Sequence, residues 1–264
     1  MGNVERSIGF VGGGRITSIL LGALARRPEG FGGAVVGELD PEVRWKLEAR
    51  FPGVTCGDDC TPPAHQDVVF IALHPPVLRK ALPGIAEALG ASSVVVSLAP
   101  VVTLSELSRL LGGFDRIARM IPNAPSLIGE GYNPTVFGPG VPEPERAALR
   151  DLFAAFGRCP EVEEEKLEAY AILTAMGPTY LWFQLEELRS LGMSFGLGDD
   201  EVRSGLAAMV HGSTRLLFES GRAFPEVQDT IPVKPLGEDE AGIVEAYRRR
   251  LVPLHRKLTG KVAP

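Results

Sequence analysis

The sequence predicts a doubly wound α/β domain followed by an all-α domain, and three observations predict it. In the first half, short Val- and Ile-rich runs such as "DVVFIAL" and "SVVVSLA" alternate with amphipathic segments. Runs that are apolar throughout fit strands of a parallel sheet covered on both faces. The first such run enters a glycine cluster, "GFVGGGRIT", and then a helix. Beyond "VPEPERAALRDLFAAFG" the strand pattern stops and helical periodicity alone continues.

The elements follow in order. "SIGFVGG" is a strand and "ITSILLGALAR" a helix; "AVVGELD" is a strand and "PEVRWKLEARF" a helix, with Pro41 in the first turn, where a missing amide costs nothing. "DVVFIAL", "PPVLRKALPGIAEAL" and "SVVVSLA" continue the alternation. "TLSELSRLLG" is a helix with Thr103 as N-cap and Glu106 at capping-box spacing. "RIARMIP" and "NPTVFG" are later strands. The expected division is a dinucleotide-binding domain over residues 1–162 and a helical domain over residues 163–264. Its helices run from Glu163 to Gly192, from Asp199 to Gly221, and through "EDEAGIVEAYRRRLVPLHRKL" with an interruption at Pro253. The first of these contains the apolar run "LTAMGPTYLWF", where Gly177 and Pro178 should break the hydrogen-bond ladder.

Bulk properties narrow the function. With 264 residues, 45% hydrophobic and 23% charged, the chain is an ordinary globular one with room for two cores. A net charge of −6 supplies no overall positive field for nucleic acid or an anionic membrane. The basic cluster "YRRRLVPLHRK" reads as a solvated helix face. Three cysteines, Cys56, Cys60 and Cys159, fit a reducing cytoplasm better than a disulfide scaffold. Cys56, Cys60 and His65 lack a second ligand pair at zinc-site spacing, so no metal is expected. No apolar run spans a bilayer, and Arg6 stands where a myristoylation signal needs Ser or Thr after Met1-Gly2. The expectation is a cytoplasmic protein with no membrane or nucleic-acid partner.

The glycine cluster carries the first chemical signal. Gly12 and Gly14 are the first two glycines of G-x-G-x-x-G/A in its strand–turn–helix setting; Gly12 permits the tight turn, and Gly14 lets a pyrophosphate approach the helix N-terminus. The third position is Thr17, off pattern, and predicts a slightly wider helix–strand spacing. Glu38 ends the second strand 26 residues after Gly12, where an acid accepts the adenine-ribose hydroxyls of NAD. Arg15 and Arg44 could instead hold the 2′-phosphate of NADP. Both coenzymes stay open, with NAD favoured by Glu38.

Two hydride-transfer patterns are missing. Tyr170, Tyr180 and Tyr247 are followed at Tyr-x-x-x-Lys spacing by Thr174, Gln184 and Leu251. Lys166 has Tyr170 rather than asparagine on the next turn, against a β-hydroxyacid dehydrogenase. Imine reduction asks for fewer ionisable groups, because a protonated C=N is already an electrophile.

"GFVGGGRI", "DVVFIALHPP", "VVVSLAP", "RMIPNAPSLIGEGYN", "TAMGPTYLWF" and "LLFESG" occur in this order. Together they make the chain resemble the pyrroline-5-carboxylate reductases, the family of the last step of proline synthesis, to about Gly221. The resemblance implies an NAD(P)H-dependent imine reductase, a Rossmann domain and a helical domain that interlocks with a twin in a dimer or larger homo-oligomer. It places Gly12, Gly14, Arg15 and Ile16 in the pyrophosphate turn and His74, Pro75 and Ala99 near the cofactor. His74 replaces the family's lysine, and Ala99-Pro100 stands where Ala-Gly is usual. Asn123, in the counterpart of the family's Pro-Asn-Thr-Pro, is placed to orient the nicotinamide amide. Pro178 is expected to free the carbonyl of Thr174 beside the reacting groups.

The substrate side departs from the family. The Ser-Pro-Gly-Gly-Thr-Thr loop that binds the pyrroline carboxylate reads "TIPVKPLGEDEAG" here, with Glu238 and Asp239 against the two threonines. Lys234 could offset those charges. Thr174 and Met176 replace two serines before Gly177-Pro178. Candidate substrate contacts are Thr174, Thr179 and Tyr180, with Tyr180 and His211 as candidate proton donors. Three readings stay open: a pyrroline-5-carboxylate reductase, a reductase of another imine or carbonyl on the same scaffold, and a dinucleotide-binding sensor without turnover.

Overall fold

The computed structural model describes residues 6–27 and 31–260; Met1 and Gly2 lie outside them. The chain forms two compact units. One runs to Met176 and includes the C-terminal stretch from His255; the other runs from Gly177 to Leu254. Lys166, Tyr170 and Thr174 therefore belong to the first unit.

The first unit is built on β1 (Ile8–Val11), β2 (Ala34–Gly37), β3 (Val54–Gly57), β4 (Val68–Ile71), β5 (Val94–Ser97), β6 (Ile117–Met120), β7 (Gly131–Tyr132), β8 (Thr135–Phe137) and β9 (Gly157–Arg158). Seven of them make one sheet in the order β3-β2-β1-β4-β5-β6-β8. Its pairings are parallel except the last, where β8 runs antiparallel to β6. Alternate strand residues face opposite sides. Phe10, Phe70, Val94 and Val96 join Leu20, Leu21 and Leu24 in one core; Val11, Val69, Ile71 and Val95 join Leu78, Leu82 and Leu107 in another. This two-sided burial is why β1, β4 and β5 read as unbroken apolar runs.

The helices of this unit begin with α1 (Arg15–Leu24), α2 (Pro41–Arg50), α3 (Thr61–Ala64), α4 (Pro75–Ala86), α5 (Leu104–Leu110) and α6 (Glu143–Phe153). Asp40 caps α2, accepting from the Glu42 amide at 2.8 Å, with Pro41 next in the chain. The expected box at α5 is half formed. Thr103 Oγ1 accepts from the Glu106 amide at 3.2 Å, but the Glu106 carboxylate takes Arg79 Nε at 2.6 Å instead of returning to the cap.

The expected helix from Glu163 to Gly192 is not one regular helix. It opens as a 3-10 turn at Glu164–Lys166, becomes α7 (Leu167–Tyr170), and widens to a π-helix at Ala171–Ala175. The Met176 amide reaches back five residues to the Ala171 carbonyl, 3.0 Å away. The Thr174 hydroxyl donates to the Tyr170 carbonyl at 2.9 Å. A proline four residues after Thr174 cannot supply the next α-helical amide, and a widened turn is one known response.

The second unit is helical: α8 (Pro178–Ser194), α9 (Asp199–Glu219), α10 (Phe224–Asp229) and most of α11 (Glu240–Thr259). Gly192 permits the close approach of α8 to α9, since a Cβ there would sit 2.9 Å from the Val202 side chain. Contrary to expectation, α11 runs through Pro253 without interruption. Among the described residues no helix is long and apolar enough to cross a membrane.

Candidate functional site

The order of strands reverses between β1 and β4, so their C-terminal ends form the crevice where open α/β sheets bind ligands. The turn after β1 enters it. Gly12 sits at φ +100°, and its amide donates to the Gly37 carbonyl at 2.8 Å. A Cβ at Gly12 would lie 2.7 Å from the Ala72 carbonyl oxygen. Gly14 differs: it is the N-cap of α1 at φ −66°, no side chain caps the helix there, and an added Cβ would meet nothing within 4 Å. The first-turn amides, including those of Arg15 and Ile16, thus begin beside open space. Thr17 is fully buried, and its hydroxyl donates to the Gly12 carbonyl at 2.6 Å. The off-pattern residue ties helix to turn.

Glu38 reaches that turn. Its carboxylate accepts from the Gly13 amide at 2.8 Å and from the Asp40 amide at 2.9 Å. A carboxylate has about four acceptor positions, so two backbone amides orient it and leave the others available. Arg44 Nη1 donates to the carbonyls of Glu38 at 2.6 Å and Leu39 at 2.9 Å, bracing the same bend. Arg15 is exposed. This end of the crevice fits a dinucleotide: an uncapped helix N-terminus for phosphate and a fixed carboxylate for ribose hydroxyls.

His74 is exposed and forms the N-cap of α4 without a side-chain hydrogen bond; Pro75 is the next residue. The Ala72 amide donates to the Val11 carbonyl at 2.8 Å, which places the start of this loop beside the glycine turn. Ala99 is buried just beyond β5. The left-handed position that follows is Val101, at φ +72°, rather than Pro100.

Asn123 is buried, and both ends of its side chain are engaged. Nδ2 donates to the Thr174 carbonyl at 3.2 Å, while Oδ1 accepts from the Tyr132 amide at 3.2 Å. The carbonyl expected to be freed by Pro178 is thus held by Asn123. Asn133 supports the arrangement, accepting the Asn123 amide at 3.1 Å and the Ser126 hydroxyl at 2.8 Å. The Thr174 hydroxyl already donates to Tyr170, which leaves it acceptor capacity only.

Thr179 and Tyr180 belong to the second unit. Thr179 is exposed. The Tyr180 ring meets Tyr247 edge-on at 5.8 Å. Burial, and then Tyr247, push the Tyr180 phenol up, so it keeps its proton at neutral pH. His211 lines a groove in the same unit with Trp182. Lys234 to Asp239 form an exposed turn in which the Gly237 amide donates to the Lys234 carbonyl at 3.0 Å. Burial raises the Cys56 thiol to about 11 and also raises that of Cys60. Among the described residues no group of three or more His, Cys, Asp or Glu is placed to hold a metal ion.

Four residues escaped the sequence-based expectations: Arg119, Asn133, Val101 and Glu168. An arginine inside the apolar strand "RIARMIP" was the visible signal for Arg119. Nothing local named its partners.

Residues 7–100 match the family described as NADP oxidoreductase coenzyme F420-dependent. The chain is 26% identical over 230 residues to the pyrroline-5-carboxylate reductase of Escherichia coli K12, covering 86% of this chain and 85% of that one. Pyrroline-5-carboxylate reductase 2 of Bos taurus is 29% identical over 238 residues, 85% of this chain and 72% of that one. The chain is thus similar to pyrroline-5-carboxylate reductases over most of its length. Solved structures share the fold over nearly all of the chain. The Plasmodium falciparum pyrroline carboxylate reductase with NADP bound superposes with a TM-score of 0.76 at 19% identity, covering 98% of this chain and 96% of that one. The Streptococcus pyogenes 1-pyrroline-5-carboxylate reductase gives 0.74 at 20% identity, with 97% and 99% covered.

Two predictions follow from the geometry. Gly14→Val should leave the thermal midpoint close to wild type, because the site is open and φ is ordinary, yet abolish saturable NADH binding in a fluorescence titration. Asn123→Asp keeps the acceptor for Tyr132 but cannot donate to Thr174; urea unfolding should show a loss of about 1–3 kcal/mol.

Proposed function

We propose that this protein is an NAD(P)H-dependent reductase of a cyclic imine, of the pyrroline-5-carboxylate reductase type that serves proline synthesis. The observation that carries this is the open helix N-terminus at Gly14 beside the amide-oriented Glu38 carboxylate, in a chain that follows the family over most of its length. When bound, reduced nicotinamide would supply a hydride to the carbon of the protonated C=N, whose π electron pair returns to nitrogen. The amides of Gly14, Arg15 and Ile16 hold the diphosphate, and Gly12 makes the turn that presents them. The free acceptor positions of Glu38 take the adenine-ribose hydroxyls. Its negative charge, and the commitment of Arg44 Nη1 to backbone carbonyls, favour NAD over NADP. His74, Pro75 and Ala99 flank the rest of the dinucleotide.

Asn123 acts by holding the Thr174 carbonyl and with it the widened turn. Thr174, Thr179 and Tyr180 contact the substrate, with the Tyr180 phenol, pushed up by burial and then by Tyr247, staying protonated as a hydrogen-bond donor. An iminium is already electrophilic, so positioning and exclusion of water accomplish most of the remaining task. A second reading, an imine other than a pyrroline carboxylate, is favoured by Glu238 and Asp239 in the substrate loop, where acids oppose a carboxylate.

A second copy of the chain belongs to the same proposal. Trp182 and Phe183 on α8 are 54% and 69% exposed, and apolar surface of this kind calls for a cover. The cytoplasmic location expected from three free cysteines is proposed with it.

Purified protein mixed with NADH or NADPH and a panel of cyclic imines should oxidise the coenzyme with pyrroline-5-carboxylate, followed as loss of reduced-nicotinamide absorbance. Oxidation by other imines alone would select the second reading, and tight coenzyme binding without turnover would make the protein a sensor. Glu38→Ser should narrow the ratio of NADH to NADPH affinity; an unchanged ratio would remove Glu38 from the ribose. Sedimentation should give a dimer or larger assembly that Trp182→Glu shifts toward monomer.

A further inference from the structure

Val101 is the one non-glycine residue with positive φ among the described residues, at +72°. A β-branched side chain is a true outlier there. Pro100 and Val101 are the turn residues just beyond Ala99 at the end of β5. Proline followed by positive φ is the pattern of a type II turn, whose second central place normally goes to glycine. Valine has no such freedom, so the shape must be held from outside.

The holder is a buried carboxylate. The Val101 amide donates to Glu168 Oε1 at 3.0 Å. The same oxygen takes Arg119 Nη2 at 2.8 Å. Arg119 lies on β6, between β5 and β8, with its side chain 1% exposed. Its Nη1 holds Glu164 Oε1 at 2.7 Å, and that oxygen accepts the Leu104 amide at 2.7 Å. One guanidinium therefore fixes two carboxylates; one grips an amide of the turn after β5 and the other the first amide of α5. Strain of this kind persists where surrounding structure over-determines it, and it clusters at ligand sites. This turn lies at the C-terminal end of a sheet strand, the ligand-binding edge of an open α/β sheet.

We infer that Glu168, oriented by Arg119, is a positioning residue for the coenzyme: it holds Val101 in its left-handed conformation and so shapes the Ala99–Val101 turn against which the dinucleotide rests. The inference depends on the dinucleotide-binding reading above. Glu168 touches neither coenzyme nor substrate. Without it, Val101 relaxes to negative φ and the turn loses the shape that receives the coenzyme. Glycine at 101 takes the left-handed conformation without help, so the need for Glu168 ends when residue 101 is glycine.

The test is a cycle of wild type, Glu168→Ala, Val101→Gly and the double variant. The readouts are the NADH dissociation constant by fluorescence titration and the thermal midpoint of the coenzyme-free protein. Glu168→Ala should weaken NADH binding about tenfold, the scale of a lost hydrogen bond to a charged group. The double variant should recover to within about twofold of wild type, although its midpoint stays lowered because Arg119 has lost a partner. Rescue of affinity without rescue of stability is the signature that a merely structural role would not give. Equal affinity in Glu168→Ala, or no rescue by Val101→Gly, overturns the inference. If Glu168→Ala does not fold, Glu168→Leu, which fills the space but has no oxygen to accept the Val101 amide, is compared in the Val101 and Val101→Gly backgrounds with the same criterion. If wild type itself binds no NADH or NADPH, the dinucleotide site falls and this inference with it, an outcome distinct from a bound wild type that ignores Glu168.

Discussion

A guanidinium buried within a sheet has to be paired, and the pairing of Arg119 orders the C-terminal ends of the last parallel strands. An uncompensated charge in that place costs several kcal/mol, and removing one partner of such a pair about 3–5 kcal/mol. Arg119 takes Glu164 and Glu168, both just before the π-helix. That choice anchors the start of the segment Leu167–Ala175 against β6. The same two carboxylates then collect amides from the segment after β5. Strand, turn and helix start are coupled through one side chain.

A second constraint meets the first a few residues on. Proline at 178 offers no amide to the carbonyl of Thr174, and a buried carbonyl left without a donor is costly. The Asn123 side chain supplies the donor, and the Tyr132 amide and Asn133 hold Asn123 in place. Gly177 and Pro178 therefore do more than interrupt a helix. They create a hydrogen-bonding demand that the loop after β6 answers, and the widened turn is the geometry in which it is answered. Loop and helix come to share one conformation.

At the other end of the crevice the logic is electrostatic. Glu38 bridges the glycine turn and the start of α2 by accepting one amide from each. Arg44, the first cation of the following helix, turns its Nη1 to the backbone of the same bend. A carboxylate fixed there with acceptor capacity to spare welcomes hydroxyls and repels a phosphate. The bend thus satisfies its own backbone and leaves a charged carboxylate at the crevice.

What the sequence by itself determined is whatever repeats locally. Unbroken apolar runs at β1, β4 and β5 announced a sheet buried on both faces, and the glycines after "SIGFV" announced the turn, because burial and φ freedom act on consecutive residues. Even the departure at Thr17 was visible, though not that its hydroxyl would bind Gly12. Tertiary structure decided the rest. Arg119 and Glu168 are 49 positions apart, Asn123 and Thr174 51, Val101 and Glu168 67. No local periodicity encodes which carboxylate a buried arginine will find, or which amide a proline-freed carbonyl will receive. Those pairings exist only once the strands have set their order; they hold Val101 against its intrinsic preference and supply the donor that Pro178 denies to Thr174.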